Sequence, residues 1–356
     1  MNRSVEPGKR SWQSGCLPGL QRQPLSLASF AVRIHFYMPE HCLPPAEERA
    51  KWLSGKPVRL AQSGKAASVQ AWIYRTFLNL SAAGADVELC HRIPDEGIVV
   101  ALTGNLGNDF KSPGGIFLIG VVADGAPHPA CHVHVLQNAI HAERLPHSTY
   151  IPHWPQPNLA PRDHGRGDTF ENLVFYGDPC NLAPGLRDPS FSRILRERLG
   201  MTLVIAGADS WHDYSNADCV IAIREFGSRR FLGKPSTKLY NAWMAGVPFI
   251  GGNDSAFSSD GREGIDYLSC NSTDQVLSAL QQLKLDPPFR NSLVIQGKQA
   301  SKDFFTEAIT RRWMGYLQSV IAGPAASHSG KSRLGRGLAS RHMQLNLILD
   351  RLKGGY

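Results

Sequence analysis

The chain contains no C-x-x-C pair. Its seven cysteines (Cys16, Cys42, Cys90, Cys131, Cys180, Cys219 and Cys270) are odd in number and scattered over 356 residues. This spacing excludes a disulfide framework and a zinc ribbon, and it suits a reducing cytoplasm. No apolar stretch approaches the roughly 20 residues that span a bilayer. Residues 1–30 interrupt short apolar runs with Arg10, Gln21, Arg22 and Gln23, so the continuous core of a signal peptide is missing. Neither G-x-G-x-x-G nor a Walker sequence occurs, which removes support for NAD and ATP chemistry. A D-x-D triplet, a common metal-binding signature, is also absent.

A basic body is lacking too, despite a formal net charge of +8. Residues 31–323 hold 28 Lys+Arg and 28 Asp+Glu, so the excess lies wholly in the two ends. A folded nucleic-acid binder needs a basic face on its body, and the neutral centre argues against one. The ends read as solvated tails. Peripheral contact with an anionic membrane at its inner face is the alternative.

What is present suits two α/β domains. The 34 glycines and 24 prolines fit many short connections. Short apolar runs read as strands at 31–37, 86–90, 98–102, 116–122 and 132–136, and again at 172–176, 202–206, 219–223, 247–250 and 266–269. Between the first two, residues 39–65 read as a polar connection and 69–83 as a helix, with Trp72, Ile73, Phe77 and Leu80 on one face. Helices are expected over 191–199, 273–284, 289–305 and 306–321. Strands alternating with helices imply parallel sheets. Residues 150–166, rich in proline and aromatics, read as the connector.

The segment KPSTKLYNAWMAGVPFIGG (234–252) carries the most chemistry. Pro235 suits a helix entry, and Ser236 or Thr237 can cap it. Gly246 suits a left-handed helix end, and Pro248 prevents continuation. Lys238 then lies in the first helical turn, with Arg229, Arg230 and Lys234 close by in sequence. Cations at a helix N-terminus form a site for a polyanion such as a diphosphate. His128, Cys131, His132 and His134 resemble metal ligands in composition, but four in seven residues is poor geometry for one tetrahedral ion. No metal or other cofactor is expected.

Pro235, Lys238, Leu239, Gly246 and Pro248 resemble the P-x-x-K-L and G-x-P pattern of GT-B glycosyltransferases of the group 1-like kind. The resemblance implies two facing Rossmann-like domains and a last helix that crosses back to the first domain. It divides the chain into a disordered extension (1–30), an acceptor-side domain with connector (31–160), a nucleotide-sugar domain (161–305), a crossing helix (306–323) and a basic flexible tail (324–356). Met343 to Leu352 in that tail could form a short amphipathic helix. The resemblance further implies sugar transfer from a nucleotide-sugar to a glycan, lipid or protein acceptor.

Ligands bind beyond the carboxyl ends of such strands. The donor pocket is therefore expected to use Gly177, Arg224, Arg229, Arg230, Ser236, Thr237 and Lys238, with Trp211 or Tyr214 near the base and Glu263 near a ribose hydroxyl. The paired glutamates of many retaining relatives fall at Gly233 and Asn241, and the paired glycines of the first helix at Ala67 and Ser68. An inverting reaction would need a base from the first domain, for which His41, Asp109 and Asp124 are the candidates. Loss of the glutamates keeps a non-catalytic nucleotide-sugar binder open, and the same fold also serves sugar-nucleotide epimerases.

Overall fold

Two parallel sheets follow from the alternation of short apolar strands with helices. The structure, a computed structural model, describes residues 33–53, 64–325 and 328. The expectations for residues 1–30 and for 343–352 fall outside them.

The first sheet contains β1 (Ile34–Tyr37), β2 (Val87–Cys90), β3 (Glu96–Leu102), β4 (Gly115–Val121), β5 (Val133–Leu136) and β6 (Ser148–Tyr150), in the order β2-β1-β3-β4-β5-β6. The second contains β7 (Asn172–Tyr176), β8 (Thr202–Ala206), β9 (Cys219–Ala222), β10 (Phe249–Gly251) and β11 (Leu268–Ser269), in the order β11-β10-β9-β7-β8. Every pairing is parallel.

The helices of the first half are α1 (Ala46–Leu53), α2 (Gly64–Val69), α3 (Arg75–Ala82) and α4 (Ala139–Arg144). In the second half they are α5 (Pro184–Arg187), α6 (Pro189–Leu199), α7 (Thr237–Ala245), α8 (Ser255–Asp260), α9 (Thr273–Leu285), α10 (Pro287–Ala300) and α11 (Thr306–Val320). A π-helical turn at Gln70–Tyr74 joins α2 to α3, so the helix expected over 69–83 begins a turn earlier. The connection expected over 39–65 contains α1, whose polar sequence AEERAKWL gives little apolar periodicity.

Parallel strands with helices on their faces need apolar residues on both sides. In the second domain Leu173, Phe175, Ile221 and Ile250 face one core with Leu186 and Leu195 of α5 and α6 and Val276 and Leu280 of α9. Val174, Tyr176, Val220 and Phe249 face another with Leu239 and Trp243 of α7. The first-domain core contains Phe36, Val100 and Ile119, and Ile309, Trp313 and Leu317 of α11 pack into it. The last helix therefore crosses back, as expected.

The connector is tied on both sides. Trp154 is buried, and its Nε1 donates to Thr76 Oγ1 at 2.8 Å. Tyr240 donates to the His153 carbonyl at 2.6 Å. Further along, Asp218 accepts from Arg162 and Arg166 and from the amides of Glu171 and Asn172. These four donors hold its carboxyl below the usual carboxylate range despite burial. The clamp fixes where the connector enters β7. Among the described residues, no helix is long and apolar enough to cross a membrane.

Candidate functional site

The second sheet reverses its order between β7 and β9, and the carboxyl ends of those strands define its crevice. Gly177 follows β7, and Arg224 lies just past β9. The first turn of α7 brings Lys238 to the same place. A Cβ on Gly177 would come within 3.2 Å of Lys238 Cε and 3.1 Å of the Phe175 ring, so glycine leaves room for the lysine stem. Lys238 Nζ sits 5.7 Å from the Phe175 ring centroid. Burial, and then Arg224, push this ammonium down to about 8.

Arg224 donates through Nε to Asp254 Oδ2 at 3.2 Å and through Nη1 to Asn181 Oδ1 at 3.0 Å. Asp254 is 2% exposed, and its Oδ1 has no partner among the described residues. Burial raises its carboxyl to about 6, opposed by Arg224, Lys238 and Lys234. Phe231, in a left-handed conformation at φ 47°, places its ring 5.8 Å from the Arg224 guanidinium and 4.9 Å from that of Arg229. The result is a basic cluster with one buried acid.

The first domain holds the loop that leads into α7. Gln137 donates to the Gly233 carbonyl at 3.0 Å and also to the Ala123 carbonyl. Asn138 Nδ2 donates to the Lys234 carbonyl at 3.2 Å and to Ser255 Oγ at 2.8 Å. Tyr150 donates to Asp260 Oδ2 at 2.8 Å. The Ser236 hydroxyl donates to the same oxygen. Ser236 thus occupies the cap position without capping by its side chain, and α7 opens with no side-chain cap. That arrangement leaves first-turn amides without side-chain partners beside Lys238.

The other expected residues are spread more widely. Arg230 is exposed and donates to Ser258 Oγ at 2.9 Å. The Thr237 hydroxyl donates to the Tyr240 phenolic oxygen at 3.1 Å, since the Tyr240 proton goes to the His153 carbonyl. Glu263 is exposed, in a loop that bridges back to Tyr267. Trp211 is half-buried and donates to the Ala206 carbonyl at 3.2 Å. Tyr214 is 1% exposed and stacks on Tyr176 with ring centroids 4.0 Å apart, so it offers no open face to a base.

Asp124, exposed just past β4, pairs with Lys234 at 3.6 Å. His41 and Asp109 are exposed after β1 and β3, and nothing among the described residues ties either to the second domain. Gly233 and Asn241 have structural tasks instead: the Gly233 carbonyl accepts from Gln137, and Asn241 Oδ1 accepts from the Gln156 amide at 3.0 Å.

The histidine-rich stretch is engaged in the fold. His128 contacts the Gly107 carbonyl at 3.1 Å, His132 Nδ1 accepts from the Leu118 amide at 2.9 Å, and His134 Nε2 lies 3.2 Å from the His128 carbonyl. Among the described residues, no group of three or more His, Cys, Asp and Glu could hold a metal ion.

Sequence reasoning missed Asp254, Asn181, Gln137 and Asn138. Asp254 follows β10 by a few residues, so the same strand-end rule that located Arg224 could have found it. Asn138 and Gln137 follow β5 in the same way, but their partners lie in the other domain.

No family model matches the chain, and no curated protein matches it. Solved structures do. A sucrose-phosphate synthase from Thermosynechococcus elongatus superposes with a TM-score of 0.51 at 12% identity, covering 82% of this chain and 99% of that one. AviGT4, a glycosyltransferase involved in avilamycin A biosynthesis, gives a TM-score of 0.51 at 14% identity, covering 82% of this chain and 98% of that one. At such identities the likeness speaks for architecture. The two parallel sheets, the crossing helix and these neighbours show that the chain has the GT-B fold, two Rossmann-like domains facing each other.

Proposed function

We propose that the protein is a metal-independent glycosyltransferase that moves a sugar from a nucleotide-sugar to an acceptor. The observation that carries this reading is the meeting of Lys238, Arg224 and the uncapped start of α7 beside Gly177. A sugar–diphosphate bond breaks with growing negative charge on the leaving nucleoside diphosphate. Fixed cations and helix amides aimed at that charge lower the barrier without reorganising. Lys238 and the α7 amides would hold the diphosphate. Arg224 is turned partly to Asp254 and would set the field of the pocket.

The acceptor would enter from the first domain, along the ends of β1, β3 and β4. Of the three candidate bases, Asp124 is favoured by its ion pair with Lys234 on the loop that leads into α7. A carboxylate there could take the proton from an acceptor hydroxyl as it attacks the sugar.

Thermal stabilisation by UDP, GDP, dTDP, CMP, ADP and NAD tests the pocket. A ligand that binds only the folded state raises its melting temperature, so one nucleoside diphosphate is expected to stand out. Transfer from the matching nucleotide-sugar to a glycan, lipid or protein acceptor pool then tests the reaction. No shift with any nucleotide in folded protein would overturn the reading.

A further inference from the structure

Among the described residues the second sheet ends at β8, and the four sheet edges found there differ in how they are protected. β2 carries the exposed Glu88, whose carboxylate lies 3.4 Å from His35. β6 has three residues, and its Tyr150 is bonded to Asp260. β11 has two residues. β8 has five, TLVIA, with neither charge nor proline. Its register with β7 runs unbroken from Thr202 to Ala206, so no bulge twists it away. Val204 and Ile205 are 38% and 41% exposed on it. Charges, prolines, bulges and shortness are the usual protections of an edge, and β8 has none of them.

The backbone direction adds a second observation. The Thr202 amide donates to the Glu171 carbonyl at 2.7 Å, on the β7 side. Alternation then turns the N–H and C=O groups of Val204 inward as well, and those of Leu203 and Ile205 outward. Among the described residues, no strand pairs with that outer side.

We propose that β8 is a dimer interface, on which a second copy of this chain adds its own β8 antiparallel about a two-fold axis at Val204. This register pairs Leu203 with Ile205 of the other copy, both with outward-facing backbone groups, and Val204 with itself in the close, non-hydrogen-bonded position. The segment is self-complementary, as a two-fold interface must be. The exposed Arg198 lies just before the strand and the exposed Asp209 just after it. Antiparallel pairing brings each Asp209 to the end where the other copy carries Arg198. The sheets of two protomers then form one continuous ten-stranded sheet.

Sedimentation velocity of the full chain across roughly 1 to 100 µM tests this. The wild type is expected to dimerise, and Val204→Lys and Ile205→Lys to weaken dimerisation at least about 100-fold, an effect of about 3 kcal/mol. Both side chains are exposed, so the folded monomer tolerates lysine, and circular dichroism checks that it does. Val204→Cys supplies an independent readout. The non-hydrogen-bonded pairing predicts that mild oxidation gives a covalent dimer in this variant and not in the wild type. A monomeric wild type throughout the range would overturn the proposal. So would a dimer that survives both lysine variants, or a Val204→Cys variant that does not cross-link.

Discussion

Lys234 and Asp124 face each other at 3.6 Å across the two domains, one on the loop entering α7 and the other just past β4. Both are partly exposed, at 33% and 59% of their side chains. A pair of this kind contributes little to stability, about 0 to 1 kcal/mol. Asp124→Asn is therefore expected to leave the melting temperature nearly unchanged. If the carboxylate is the base of the transfer, the same variant loses about 100-fold or more in kcat while nucleotide affinity is retained. A variant with full turnover would remove Asp124 from the reaction and leave it as a domain contact.

Lys238 and Arg224 should separate binding from folding. Lys238 makes no ion pair with a carboxylate among the described residues, and its burial already opposes its charge. Lys238→Ala is expected to weaken binding of the stabilising nucleoside diphosphate by about tenfold to a hundredfold, because a charge-assisted hydrogen bond is lost. Stability should change by no more than about 1 kcal/mol. Arg224→Ala instead leaves Asp254 buried without its guanidinium partner. Removing one member of a buried pair costs about 3 to 5 kcal/mol, which denaturant titration would register. Equal losses of stability in the two variants would contradict this division.

Much of the fold was legible, and the reasons are local. β7 and β8 were read from sequence with their observed bounds, because NLVFY and TLVIA are apolar runs closed by glycines. α7 was legible from Pro235 at its entry and Gly246, at φ 73°, at its end. β6 escaped because Ser148–Tyr150 has no apolar run, and its strand character comes from pairing with β5. Within the site, strand ends pointed to Gly177 and Arg224, and the helix entry at Pro235 pointed to Lys238. The Ser236 hydroxyl went elsewhere because Asp260, distant in sequence and buried nearby, accepts it. Tyr214 was drawn into the core by stacking on Tyr176, a contact between residues distant in sequence that no local pattern reveals.

The pH dependence of nucleotide binding follows from Lys238. Its ammonium titrates at about 8 in the free protein. A bound diphosphate favours the charged form and raises that value. Affinity is then full below about 8 and falls as pH rises through it, because binding must take up a proton. Calorimetric titration in buffers of different ionisation enthalpy should show proton uptake near pH 8 to 9. In Lys238→Ala that uptake should disappear together with the extra affinity at lower pH. Affinity that is flat from pH 7 to 9.5 would show that Lys238 does not meet the diphosphate.

The site also depends on how α7 is backed from behind. α10 crosses it where Gly297 meets Trp243, and a Cβ at Gly297 would lie 2.3 Å from Trp243 Cδ1. Trp243 cannot swing away freely, since it is 1% exposed and its Nε1 donates to the Asp266 carbonyl at 2.8 Å. Gly297→Ala raises helix propensity by up to about 1 kcal/mol, yet overpacking a tight core costs about 1 to 3 kcal/mol. Overpacking should win, and thermal denaturation should show a net loss. Gly246→Ala makes a useful contrast. There the added Cβ meets the flexible end of Lys298 at 2.9 Å, so the main cost is the left-handed backbone, about 1 kcal/mol. Because α7 carries Lys238 in its first turn, Gly297→Ala should also weaken nucleotide binding, whereas Gly246→Ala, at the far end of the helix, should not. A stabilised Gly297→Ala protein would mean that the two helices separate more easily than the Trp243 contacts imply.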